Sequence, residues 1–113
     1  MVKAKVVGIK KMADRDFHLV ISSPHDASLT MITELGDPEC AKAASSREVL
    51  RIRKARQAFV SLLGAPRLYF TRTDAVEMVE VTGIGFFDRV HGQTGQAANG
   101  IELHPVLDLR PER

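Results

Sequence analysis

The sequence predicts a mainly β domain with a single helix, a five-stranded, partly open barrel whose elements run β-β-β-α-β-β. Three observations carry that reading. The 113 residues suit one domain, spanning 1–113, with a core that needs no covalent staple. Short runs rich in β-branched residues, several of them alternating in hydropathy, lie on both sides of residues 47–63. Those residues alone repeat their apolar side chains at helical spacing. An α+β sandwich of the same strands is the alternative architecture.

The elements follow in order. Val2 to Ile9, "VKAKVVGI", is valine-rich and reads as a strand that ends in the polar "KKMADRD". Phe17, Leu19 and Ile21 alternate with His18, Val20 and Ser22, which places the three apolar side chains on one face and His18 on the other. "SSPHDAS" is turn composition, and extended character resumes from Leu29 to Leu35. Gly36 and Pro38 stop it. Ser45 or Ser46 is then the expected N-cap of a helix from Arg47 to Leu63. Its apolar set is Val49, Leu50, Ile52, Phe59, Leu62 and Leu63, filled in by Ala55 and Ala58. Gly64 followed by Pro66 ends it. "RLYFTRTDA" offers a further short strand. Val76 to Asp88 is the next long one, and Gly83 and Gly85 mark it for a bulge or sharp bend. The loop "HGQTGQAANG" supplies glycines for positive φ, and Ile101 to Leu109 closes the set with Ile101, Leu103, Leu107 and Leu109 inward. Pro105 lacks an N–H, so it belongs at an edge or bulge. No repeat or low-complexity tract interrupts this order, which is that of an OB-like barrel.

Composition narrows the function classes. Cys40 is the only cysteine, so neither an intrachain disulfide nor a multi-cysteine zinc site can form, and it is expected to be a packing or incidental loop thiol. No stretch has the length of a signal peptide's apolar core or a bilayer span, so the expectation is a soluble chain, cytoplasmic or exported after loss of a leader. Sixteen basic against fourteen acidic residues give +2, too balanced to announce a nucleic-acid binder. The positive charge is instead local. Arg47, Arg51, Arg53, Lys54 and Arg56 crowd the helix against Glu48 alone. Arg47, Arg51, Lys54 and Arg56 are therefore the candidate contacts for nucleic acid or another polymer, against the plain reading of a solvated helix face. Aromatic platforms for stacked bases are few. Tyr69, Phe70, Phe86 and Phe87 remain once Phe17 and Phe59 are assigned to the core, and of the adjacent Phe86 and Phe87 a strand should expose at most one.

The chemistry-bearing residues gather in two sets. Glu102 and His104, two apart on the last strand, project from one face, and Asp88 and His91 open the preceding loop. His18, with Glu34 and Asp37 at the end of the third strand, forms a second set that a closed barrel would bring near the first. Carboxylates beside imidazoles suit general acid–base work or a divalent metal. His18, Glu34, Asp88, His91, Glu102 and His104 are thus the candidate catalytic residues of a metal-dependent hydrolase or nuclease. Neither an HExxH nor a CxxC metal motif is present. Histidines bonded to loop backbone and carboxylates acting as caps are the competing structural explanation. The glycine-rich loop lacks a P-loop lysine and precedes a strand, so a phosphate cradle is not expected.

"DFHLVI" at Asp16 to Ile21, "MITELGDPEC" at Met31 to Cys40 and "TGIGFFDRVHGQTGQAANGIELHPVL" at Thr82 to Leu107 resemble, in the same order, three blocks of a family of small, uncharacterised bacterial proteins. The resemblance spans most of the chain. It implies a shared pattern on Asp16, His18, Glu34, Asp37, Asp88, His91, Asn99, Glu102 and His104. Relatives often carry an export-type leader and a second cysteine after the helix, where this chain has Gly64, so the resemblance implies no disulfide here. It names no substrate and no cofactor. Two readings stand side by side: a non-enzymatic binding module for a polymer, and a hydrolase built on the histidine and carboxylate cluster.

Overall fold

The computed structural model describes residues 1–40 and 45–112, except the side chain of residue 40, so the role expected of the Cys40 thiol lies outside the described residues. Six strands and one helix follow in the order β1 (Val2–Lys11), β2 (Phe17–Ser22), β3 (Thr30–Leu35), α1 (Ser46–Leu63), β4 (Thr71–Arg72), β5 (Met78–Phe87) and β6 (Ile101–Pro111), with a short 3-10 turn at Pro38–Cys40. β2, β3, β6, β5 and β1 are neighbours in that order, and β1 pairs back onto β2 to close five strands into a barrel. β4 is a two-residue addition on β1. The only parallel pair described is β3 with β6, and it is made because the chain crosses by way of α1 before returning. The OB-like barrel with one helix is the architecture the element order predicts.

The core follows from the alternation. Phe17, Leu19 and Ile21 of β2 point inward with Ala4, Leu35, Val79, Val81, Val106 and Leu109 from the other strands. Helix α1 contributes Ala55, Phe59 and Leu63 to the same cluster, and the Phe59 ring lies 5.1 Å from that of Phe17. The helix starts where its cap does. Ser45 Oγ accepts the Glu48 N–H at 3.2 Å, and Gly64, at φ +82°, donates its N–H to Val60 O.

Three packing expectations change. Leu50, expected in the core face of the helix, is half exposed, because Ile52, Ala55, Phe59 and Leu63 define the buried stripe and Leu50 lies about 200° round the helix from Ile52. Val106, not Leu107, faces the core. The β5–β6 register slips between Thr82 and Gly83 and again between Gly83 and Gly85, which shifts the alternation of β6 around Pro105. This is the bulge the glycines and Pro105 foretell. Gly83 is required there because a Cβ would stand 2.8 Å from Pro105 O. Finally, Phe86 and Phe87 are both exposed, at 47% and 68%, where at most one was expected. β1 pairs with β5 only as far as Val81, so the end of β5 overhangs the barrel with β6 as its one partner among the described residues. Neither face of that overhang is sealed by a core.

Candidate functional site: a carboxylate and imidazole row on the barrel face

The outer face of the sheet is organised by the same register that builds the core. With Leu19, Thr33 and Leu103 turned inward, their neighbours His18, Glu34, Glu102 and His104 turn outward. His18 lies directly opposite Glu34, and the parallel β3–β6 pairing sets Ile32 against Glu102 and Thr33 against Leu103. Two polar sets far apart in the chain thereby meet on three adjacent strands.

Glu34 is the centre. Its Oε1 lies 2.6 Å from His18 Nε2, and its Oε2 lies 2.6 Å from His104 Nδ1. Burial opposes ionisation of this carboxyl, but its hydrogen bonds to His104 and His18 outweigh that and hold it down at about 2. The bond to Glu34 raises His104 against the opposing effect of burial, and with the charges of Glu34, Asp16 and Glu102 it reaches about 9. At neutral pH this pair is an ion pair. On the other side of the ring, His104 Nε2 faces Asp16 Oδ2 at 4.0 Å, too long for a hydrogen bond. Asp16 Oδ1 accepts the Asp37 N–H at 3.3 Å. Burial, reinforced by Asp14, pushes Asp16 above its ordinary range.

Glu102 is almost wholly buried, with Oε1 at 3.6 Å from His104 Nδ1 and no hydrogen-bond partner for Oε2 among the described residues. Burial first, then the charges of Glu34 and Asp88, push it up. Glu34, Asp88, Glu102 and His104 line an open cleft of about 400 Å³ together with Phe86 and Pro105. Phe86 closes one wall with its ring edge-to-face on His104, the centroids 5.9 Å apart. The row across β2, β3, β6 and β5 is therefore His18, Glu34, His104 and Phe86.

The loop after β5 covers the rest of the face. Gly95, at φ +80°, packs so closely on Val20 that a Cβ would overlap it, and Gly92, Gln93 and Thr94 flank a smaller cavity of about 230 Å³ beside His18. This is why His18 is buried although it points away from the barrel core. Asn99 Oδ1 accepts the Ile101 N–H and so turns the loop into β6.

Of the six candidate catalytic residues, the fold joins His18, Glu34, Glu102 and His104 directly and brings Asp88 to the cleft. His91 stands apart. It pairs with Asp88 at 3.3 Å, and its backbone N–H is held by Gln96 Oε1, but it is exposed and does not line the cleft. Asp37 lies beyond the row, ion-paired to Arg15 at 3.0 Å. Two contributors were outside the predicted site. Asp16 carried a signal, since it stands two residues before His18 and belongs to the pattern the resemblance implies, whereas Phe86 was readable only as a possible stacking platform until its register opposite Glu102 was known. Among these groups, Asp16, Glu34 and His104 each present a ligand atom within 4.8 Å of the others, a spacing able to hold a metal ion.

The candidate polymer contacts are on α1. Arg47, Arg51 and Lys54 are exposed, as a contact surface or a solvated face requires. Arg56 is committed to the fold: its guanidinium lies 3.7 Å over the Phe17 ring, and Nη1 donates to Leu35 O at 3.4 Å. No helix is long and apolar enough to cross a membrane among the described residues. No family model, curated protein or solved structure matches the chain.

Proposed function

We propose that the protein is a ligand-binding barrel that works through the outer face of β2, β3 and β6, and that its ligand is an uncharged, hydroxyl-rich chain of the oligosaccharide kind. The observation that carries this is the lip of the cleft, where the exposed phenyl ring of Phe86 borders Glu34, Asp88, Glu102 and His104. An apolar ring beside carboxylate acceptors and an imidazolium donor suits the CH-rich face and hydroxyl edge of a sugar. The three acidic side chains of the cleft disfavour a phosphate backbone at the same place. Kinship with the small bacterial proteins whose sequence blocks the chain shares is part of this reading.

A nucleic-acid reading retains one observation in its favour, the exposed Arg47, Arg51, Arg53 and Lys54 of α1. The two are separated by titrating the isotope-labelled protein with neutral oligosaccharides and with single-stranded oligonucleotides while following backbone amide shifts. Sugar-dependent shifts at Phe86 and His104, abolished in F86A, are expected. Silence with every sugar, combined with salt-sensitive shifts along α1 with oligonucleotides, would replace the cleft by the helix.

A further inference from the structure

The smaller cavity, of about 230 Å³, lies on the β1 side of His18, away from the cleft, and shares no lining residue with it among the described residues. Its floor follows from register. Lys10 of β1 lies directly opposite His18 of β2, so both side chains stand on the outer face of the sheet. Two glycines let the surroundings settle onto that face: Gly8 leaves room for the Phe70 ring, which a Cβ there would overlap, and Gly95 lets the loop rest on Val20. Met12, Val20 and Phe70 supply the apolar wall, and Gly92, Gln93 and Thr94 of the loop supply the rest. The polar groups of this cavity are incompletely matched. Glu34 is ionised and only accepts, so His18 donates its Nε2–H to it, and the neutral ring keeps Nδ1 as an acceptor with no partner among the described residues. Gln93 Oε1 is a second acceptor without one. Lys10 is a half-buried cation with no acidic partner among the described residues, and no carboxylate lines the cavity with it.

We infer that this cavity is a binding site for a small aliphatic hydroxy acid. The Lys10 ammonium takes the carboxylate, Met12, Val20 and Phe70 take the carbon chain, and the hydroxyl has His18 Nδ1 and Gln93 Oε1 to donate to. The inventory of donors and charges sets the class. One ammonium beside two acceptors fits a single carboxylate that carries a donor. A phosphate would bring more acceptors and more charge than one lysine meets, and an amine would be repelled by Lys10. The volume lies below the roughly 300–1,000 Å³ of pockets that hold drug-sized ligands, which suits a molecule of a few carbons. Glu34 fixes the His18 ring, so the acceptor is positioned before the ligand arrives. The site does not depend on the oligosaccharide reading, which concerns the other side of Glu34.

The test is titration of the isotope-labelled protein with β-hydroxybutyrate, butyrate, butylene glycol and inorganic phosphate, following the His18 ring nitrogens and the amides of Gly92 to Thr94. Saturable shifts with β-hydroxybutyrate are expected, with binding roughly tenfold weaker for butyrate, which lacks the hydroxyl, and for butylene glycol, which lacks the charge. K10M keeps the apolar stem of the lysine and should fold while losing roughly tenfold or more in affinity. F86A, the variant that abolishes the sugar response, should bind the hydroxy acid as the parent does. The comparison among probes needs no variant. No saturable shift with β-hydroxybutyrate, equal affinity for butyrate or for butylene glycol, tighter binding of phosphate, or undiminished affinity in K10M would each overturn the assignment. Shifts that survive K10M and vanish in F86A would overturn it as well, by moving the ligand to the cleft.

Discussion

At the scale of single residues, Glu34 decides the behaviour of the row, because one carboxylate serves two imidazoles. Replacing it with glutamine keeps the shape and removes the charge, and we expect E34Q to lose about 1–3 kcal/mol of stability in denaturant titrations with chelator present. The pH dependence has two signed flanks. Glu34 is held below its ordinary 4.5, so its contribution is complete above that value and disappears as the pH falls towards about 2. His104 is raised from 6.5 to about 9, so its contribution is complete below 6.5 and is lost as the pH climbs through about 9. Both describe one interaction and are not added. The stability difference between the parent and E34Q should therefore be flat between about pH 4.5 and 6.5 and shrink on either side; a difference that is constant from pH 3 to 10 would contradict the pairing. Much of this chemistry was legible from residue types and spacing. Glu102-x-His104 and the outward His18 were readable from a period of two, but which carboxylate would serve which imidazole was not. That choice depends on strand register between segments about seventy residues apart.

At the scale of elements, the loop from Asp88 to Gly100 is part of the face and not only a connection. Gly95 needs its positive φ and its missing Cβ at once, because Val20 occupies the space a side chain would take. G95A should cost about 1–3 kcal/mol and lift the loop from β2. The expected signs are a lower denaturation midpoint and faster modification of the His18 ring by a histidine-directed reagent. Adding V20A should restore part of the loss by clearing the overlap, while the backbone strain stays. The glycines of this loop were readable as positions of unusual backbone, but their partner was not, since Val20 looks like any apolar residue of a strand until the loop is laid across it. The final strand shows the same limit. Alternation put Leu107 inside, and the slip of register around Pro105 put Val106 there instead.

At the scale of the whole molecule, order and type of elements were the most legible feature, because the helix announced itself by cap, stripe and stop signals and the strands by their period. Closure was not written in any one segment; it results from β1 pairing with β2 along one edge and with β5 along the other. Helix and barrel share one core through Phe59, which is fully buried among strand residues. F59A should accordingly destabilise the entire domain by about 3–5 kcal/mol in a single transition, without first releasing the helix. Far-ultraviolet circular dichroism is the suitable probe, as the chain has no tryptophan and its one tyrosine, Tyr69, is exposed. The overhang of β5 has a consequence of its own. Past Val81 its outer row of peptide groups meets no neighbouring strand among the described residues, and two phenyl rings stand beside it. An extended segment of another molecule arriving there would find a ready-made sheet margin and a greasy shelf together, so the stretch best fitted for recognition is also where crowding would first make these domains stick to one another.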